Sequence, residues 1–193
     1  CLGVTALSLR SGKLDSFAAP AVILATGGFT RMYLPSTVSL GTTGDGQALA
    51  YLSGARLTDM EMVQFHPTVC PKGHSFVITE AILSAGAEIV NQKGDVIQKS
   101  KGLTRDKLCL SIAQAGNGEG TPFLDLKPIG KEKLLAQFPQ AHELVRTVGG
   151  LASTKDLLPI RPGALRRVGG IQTTLDGHTS TAGLFAGGVG PDN

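Results

Sequence analysis

Residues 43–68 read TGDGQALAYLSGARLTDMEMVQFHPT, and the fold turns on how this run is built. Gly44-Asp45-Gly46 opens a helix over 46–55, GQALAYLSGA, whose small residues Ala48, Ala50, Ser53 and Ala55 suit close packing on a sheet. Two roles are open to Asp45. Its carboxylate suits a helix N-cap, accepting orphan backbone N–H groups, and it can equally accept from a ribose or ribityl hydroxyl. Further on, Gln64-Phe65-His66-Pro67-Thr68 holds an imidazole just before a proline, in the stiff extended backbone that the proline imposes. A His so placed can donate to a substrate carboxylate, although a lone His is more often a plain core or surface residue.

Upstream, 2–9 (LGVTALSL) and 21–25 (AVILA) are strand candidates, with a turn at 11–15 between them. The second strand runs into Thr26-Gly27-Gly28. Glycine at a strand end lets backbone N–H groups approach a ligand that a Cβ would block, and it equally suits an ordinary strand–helix turn. Downstream of Thr68 the texture changes. Short strands at 75–79 and 86–90 lead to an Asn91–Gly94 turn, then a helix near 104–115, a Gly/Asn-rich loop at 116–120 and a strand at 122–126. A helix over 130–147 follows, interrupted by Pro139. Small residues and Gly pairs return near Pro159, with Gly169-Gly170-Ile171 and then Gly183-Leu184-Phe185-Ala186-Gly187-Gly188. The expected fold is therefore α+β, with a block over 69–158 inserted between two stretches, 1–68 and 159–193, of dinucleotide-domain type.

Composition narrows the function. The chain has 193 residues, 41% hydrophobic and 17% charged, which is globular usage with room for a buried core. A net charge of +3 without a long basic run argues against nucleic-acid binding. Arg166 and Arg167 read as a solvated loop pair. Cys1, Cys70 and Cys109 lack metal-ligand spacing and read as free thiols in a reducing compartment, and no metal is expected. No apolar run approaches the ~20 residues of a membrane span. Thr79-Glu80 suits a helix cap, and Arg105-Asp106 a helix-start ion pair.

The order of these pieces carries further. AVILATGGFTRMY at 21–33 and the 43–68 run are followed by ITE at 78–80, TRDKL at 104–108, FLDL at 123–126, RPGALRRVGGI at 161–171 and GHTSTAGLFAGG at 177–188. Together they resemble, over nearly the whole chain, the succinate dehydrogenase/fumarate reductase/L-aspartate oxidase flavoprotein subunit family. The resemblance implies an FAD oxidoreductase acting on a small dicarboxylate. It implies a capping domain at 69–158, set between strands of a partial Rossmann-like FAD-binding domain. By the same resemblance Thr26, Gly27, Gly28 and Asp45 lie at the FAD, and His66 and Thr79 hold dicarboxylate groups. Arg105 exchanges the proton as hydride moves. An Arg is an unusual general acid, because its pKa lies above ~12 and a relay must resupply its proton. An iron–sulfur partner subunit is typical of the membrane-bound members, so the implied location is cytoplasmic or peripheral to a membrane.

The sequence also departs from the family pattern. Leu83 and Ala85 stand where the pattern has a relay Arg and Glu, and Leu165 where it has a second substrate His. Gly188-Val189 stands where it has Gly-Glu, its last substrate Arg would fall beyond Asn193, and no G-x-G-x-x-G phosphate loop is present. These differences fall on the chemistry more than on the scaffold. They lead to the expectation of a fragment, cut from a longer flavoenzyme, that neither retains FAD nor turns over alone and that self-associates through uncovered apolar faces. The alternative is a diverged, non-catalytic homologue that binds a small acid or a partner subunit.

Overall fold

A computed structural model describes residues 1–99, 102–118 and 120–188 of the protein. Helices and strands are mixed throughout, and the chain divides into two compact units. One comprises Cys1–Met32, Ser39–Gln64 and the chain from Arg166 onward. The other comprises Tyr33–Val38 and Phe65–Leu165.

In the first unit Gly3–Leu7 and Leu14–Ala18 form an antiparallel hairpin, with Val4 opposite Phe17. The expected turn at 11–15 is thus shorter than drawn, because Leu14 and Asp15 already belong to the returning strand. That strand, LDSFA, is exposed along its whole length, so it carries no hydrophobic alternation for a sequence reading to detect. Val22–Leu24 pairs instead with Leu184–Ala186, in parallel, Ile23 facing Phe185. The helix expected over 46–55 runs Asp45–Leu52 and ends where Ser53 and Gly54 cap its last carbonyls. Ala50 and Ala55 join Ile171, Leu184 and Ala186 in a small apolar core, with Val22, Leu24 and Leu57 packed against it. Gly170–Ile171 closes the unit by pairing antiparallel with Leu57–Thr58.

In the second unit an antiparallel sheet runs in the order Leu158–Pro159, Phe123–Asp125, Glu88–Val90, Val96–Gln98. The last strand, absent from the sequence reading, follows the expected Asn91–Gly94 turn, where the Asn91 side-chain oxygen accepts from the Lys93 and Asp95 N–H groups. The Arg105–Gly118 helix is longer than expected and takes in most of the Gly/Asn-rich stretch read as a loop. Pro139 does break the next helical segment. Lys131–Gln137 and Pro139–Thr147 are separate helices, meeting at a non-helical Phe138 with the proline at the first helical position, where its missing N–H costs nothing. Their apolar faces pack on the sheet through Leu134, Ala141 and Val145. Tyr33–Val38 is tied in by main-chain hydrogen bonds between Ala164 and both Pro35 and Thr37.

Candidate functional site

In the first unit the parallel strands end side by side, and glycines follow both. Val22–Leu24 leads into Thr26-Gly27-Gly28 and Leu184–Ala186 into Gly187-Gly188, with the Gly187 N–H bonded to the Leu24 carbonyl. Thr26, Gly27, Gly187 and Gly188 are exposed, and a Cβ on Gly27, Gly187 or Gly188 would meet open space. Main-chain N–H groups beyond the carboxyl ends of parallel strands are where this class of sheet takes nucleotide ligands.

The Asp45–Leu52 helix starts against the same strand end. A Cβ on Gly46 would stand 1.7 Å from Thr26 Oγ1, so only glycine allows the approach. Gly44, not Asp45, occupies the N-cap position, in a left-handed conformation and without a side-chain cap. The carboxylate of Asp45, exposed in the first turn, accepts from Thr43 Oγ1 at 2.8 Å and remains open to further donors. The N-cap role weighed for Asp45 therefore does not apply.

Beside these residues lies Gln47, 96% buried by its 4% exposure, whose Nε2 donates to the Gly27 carbonyl at 2.8 Å. Its Oε1 is buried without a hydrogen-bond partner among the described residues. A buried acceptor left unmatched is costly, and a ligand donor would satisfy it. Arg167 is buried too, contrary to the solvated loop expected for Arg166-Arg167. It lies on the Arg161–Arg167 strand, bonds the carbonyls of Gly27 and Gly169, and places its guanidinium 5.7 Å from the Phe29 ring centroid. Arg166 is exposed and donates to Gln64 at 3.2 Å. Open glycine strand ends, an exposed carboxylate and an unmatched amide oxygen fit a dinucleotide such as FAD.

The second unit gathers His66, Glu80 and Arg105. Arg105, first residue of its helix, grips Glu80 with two parallel bonds, Nε to Oε1 at 2.8 Å and Nη2 to Oε2 at 3.0 Å. Asp106, the neighbour expected to pair with it, is instead held below the usual carboxylate range first by the Thr104 hydroxyl. The Glu80 carboxylate raises the Arg105 pKa above its ordinary value. Glu80, which the sequence reading left as half of a helix cap, is the residue that Arg105 grips. Its partner lies 25 residues away, and no local signal joins them.

His66 is buried in the Val63–Cys70 strand. Its Nδ1 accepts from the Thr68 N–H at 3.3 Å, while the Thr68 hydroxyl donates to the Ile78 carbonyl at 2.6 Å. Nδ1 is thereby an acceptor, so the proton of the neutral ring sits on Nε2. Burial lowers the pKa of His66, Glu80 acts to raise it and Arg105 to lower it; the ring is neutral at pH 7 and can donate through Nε2. Cys109, one turn along from Arg105, has its thiol pushed up to about 11 by burial. None of the cysteines forms a disulfide. Thr79 is exposed, immediately before Glu80. Leu83 and Ala85 pack at the edge of the core, and the Ala85 carbonyl accepts from Lys133. Leu165 is part-buried on its strand, and Val189 lies outside the described residues.

Comparison with known proteins identifies the family. A family model described as "FAD binding domain" matches residues 1–189. The fumarate reductase flavoprotein subunit of Serratia sp. is 34% identical over 96% of this chain and 35% of its own length. An L-aspartate oxidase of Mycobacterium bovis is 35% identical over 94% of this chain and 36% of its own. Among solved structures, a quinol–fumarate reductase with menaquinol molecules superposes with a TM-score of 0.84 at 31% identity, over 98% of this chain and 37% of that one. Mycobacterium smegmatis Sdh1 in complex with UQ1 reaches 0.87 at 28%, over 98% and 34%. The protein thus spans about a third of the length of the curated relatives it matches. No helix among the described residues is long and apolar enough to cross a membrane. FAD is the cofactor of this family, and the chain belongs to it: the flavoproteins that include the succinate dehydrogenase and fumarate reductase flavoprotein subunits and L-aspartate oxidase.

Proposed function

We propose that this chain is the part of an FAD-dependent oxidoreductase that holds a small dicarboxylate of fumarate, succinate or aspartate type and moves its proton. The observation that carries the reading is the bidentate Glu80–Arg105 pair in one unit with a neutral, Nε2-protonated His66. Bound FAD supplies the hydride acceptor and donor. Thr26, Gly27, Gly28 and Asp45 hold it, Gln47 Oε1 accepting one of its donors. His66 Nε2 and the Thr79 hydroxyl donate to substrate carboxylates, and fixing the substrate this way lowers the entropic part of the barrier. Arg105 gives the proton to the substrate carbon. Glu80 makes that feasible: it raises the guanidinium pKa, yet lies at hydrogen-bond distance to return a proton at once. The 69–158 block is the capping domain, and 1–68 and 159–193 belong to the FAD-binding domain. An iron–sulfur subunit, a cytoplasmic or membrane-peripheral location and self-association through exposed Leu2, Leu14, Phe17 and Ile23 belong to the same reading.

The test grafts these 193 residues into the Serratia sp. fumarate reductase flavoprotein subunit in place of the matching stretch. Arg105→Ala is expected to lower fumarate reduction by about 10²–10⁴, the usual contribution of a positioned acid, with flavin content unchanged. A graft that holds FAD but never turns over would favour the non-catalytic homologue. Normal rates in Arg105→Ala and His66→Ala would remove the site assignment.

A further inference from the structure

The Glu80–Arg105 pair is not sealed in the core. Its side chains are 30% and 38% exposed, and they form one wall of a cleft of about 570 Å³. The other described walls are Leu83, Ser84, Gly102, Leu103 and Leu108, so among the described lining residues the pair alone can ionise. A space of that size holds several waters, each needing roughly 30 Å³ in the liquid. The three leucines offer those waters no hydrogen-bond partner, and the Ser84 hydroxyl, which does, carries no charge, which leaves the carboxylate and guanidinium as the charged end of the cleft.

We propose that this cleft is the proton entrance of the site, with water and not a side chain as the last carrier to Glu80. The proposal rests on the reading of Arg105 as proton donor. When Arg105 gives up a proton to carbon, its guanidine is left neutral beside an ionised Glu80. A water-borne acid in the cleft then protonates Glu80, and the proton crosses the existing Nε to Oε1 hydrogen bond. The guanidinium and the carboxylate are both restored, one solvent proton has reached carbon, and no electrons move in the relay. The other titratable groups around the pair do not supply that proton. His66, on the Val63–Cys70 strand, is neutral and buried, and Cys109 holds its thiol proton to about pH 11. Asp106 is ionised at neutral pH and exposed.

Hydrogen exchange of the Arg105 Nε–H, followed by NMR in the 193-residue chain, tests this without cofactor or turnover. Arg146, paired with Glu143 on an exposed helix face, is the internal reference. Filling the cleft with Leu83→Trp, or from the exposed wall with Leu103→Trp, is expected to slow Arg105 exchange at least roughly ten-fold while Arg146 is unchanged, as loss of water contact protects a proton. Unchanged Arg105 exchange in folded forms of both variants would overturn the proposal. So would wild-type exchange at Arg105 orders of magnitude slower than at Arg146. If the slowing is found but Arg105→Ala keeps its rate in the graft, the proton-donor role falls and the solvent route stands.

Discussion

Among the described residues, sixteen buried side chains, Ile78, Ile89, Leu124, Leu134 and Leu158 among them, form one cluster in the unit built from Tyr33–Val38 and Phe65–Leu165. The cluster of the other unit has five, and its apolar Leu2 and Ile23 are 88% and 71% exposed. What it relies on more is close backbone approach, tighter than at Gly149 or Gly163 in the first. Gly46 lies on Thr26, and Gly169 on the main chain of Thr58 and Asp59, at spacings no side chain would permit. One region is held by side-chain volume, the other by main-chain contact and the absence of Cβ atoms. The difference suits their proposed tasks. A cap must be a rigid body that carries Arg105, whereas a nucleotide cradle must bring main-chain N–H groups to its ligand.

The contrast can be broken at three points. The largest effect is expected at Leu124, fully buried on the central strand Phe123–Asp125. Leu124→Ala should cost about 3–4 kcal/mol by the usual transfer and cavity terms, read from urea unfolding. A loss below about 1 kcal/mol would mean that this core relaxes freely and that volume is not what holds it.

Gly169→Ala tests the other region. Its Cβ would stand 1.8 Å from the Asp59 carbonyl oxygen, so the Gly170–Ile171 strand must move off Leu57–Thr58. About 2–3 kcal/mol of destabilisation is expected, typical of overpacking against a group that cannot rotate away. Exchange protection should fall in the Leu57–Thr58 pairing and stay unchanged in the Phe123–Asp125 sheet. Loss in both would show that the two regions do not unfold separately.

The smallest effect concerns pH. Burial lowers the His66 pKa below its ordinary 6.5 in the folded chain. Below pH 6.5 the unfolded chain therefore binds more protons than the folded one, and stability falls as pH falls. The contribution is fully present above 6.5 and is lost progressively as pH drops toward the lowered folded value. His66→Gln should flatten the urea midpoint over that window and leave it unchanged between pH 7 and 8. An unaltered acid limb would mean that His66 is not the buried group titrating there.

Much of the local structure was legible. The Asp45–Leu52 helix follows from its small-residue pattern, and the break at Phe138 from Pro139. The turn at Asn91–Gly94 follows from an Asn side chain that bonds its own backbone. The missed elements had no local signature. Leu14–Ala18 is exposed on all five residues, and Val96–Gln98 has only three, too short to show a period. The Gly/Asn run after Ala115 reads as a loop, yet its first residues continue the Arg105–Gly118 helix. Local propensity was overridden there by a helix already anchored at Leu108 and Ile112.

The site divides in the same way. The order of short motifs from Thr26 to Gly188 was enough, by itself, to indicate the family, the cofactor class and the candidates His66, Thr79, Arg105 and Asp45. Such residue types in sequence are a one-dimensional property. Which group pairs with Arg105, which ring nitrogen of His66 holds the proton, and that Arg167 is buried while Arg166 is not were decided only when the chain closed on itself. Each depends on a partner distant in sequence or on loss of water, and neither desolvation nor a long-range hydrogen bond has any trace in the local order of residues.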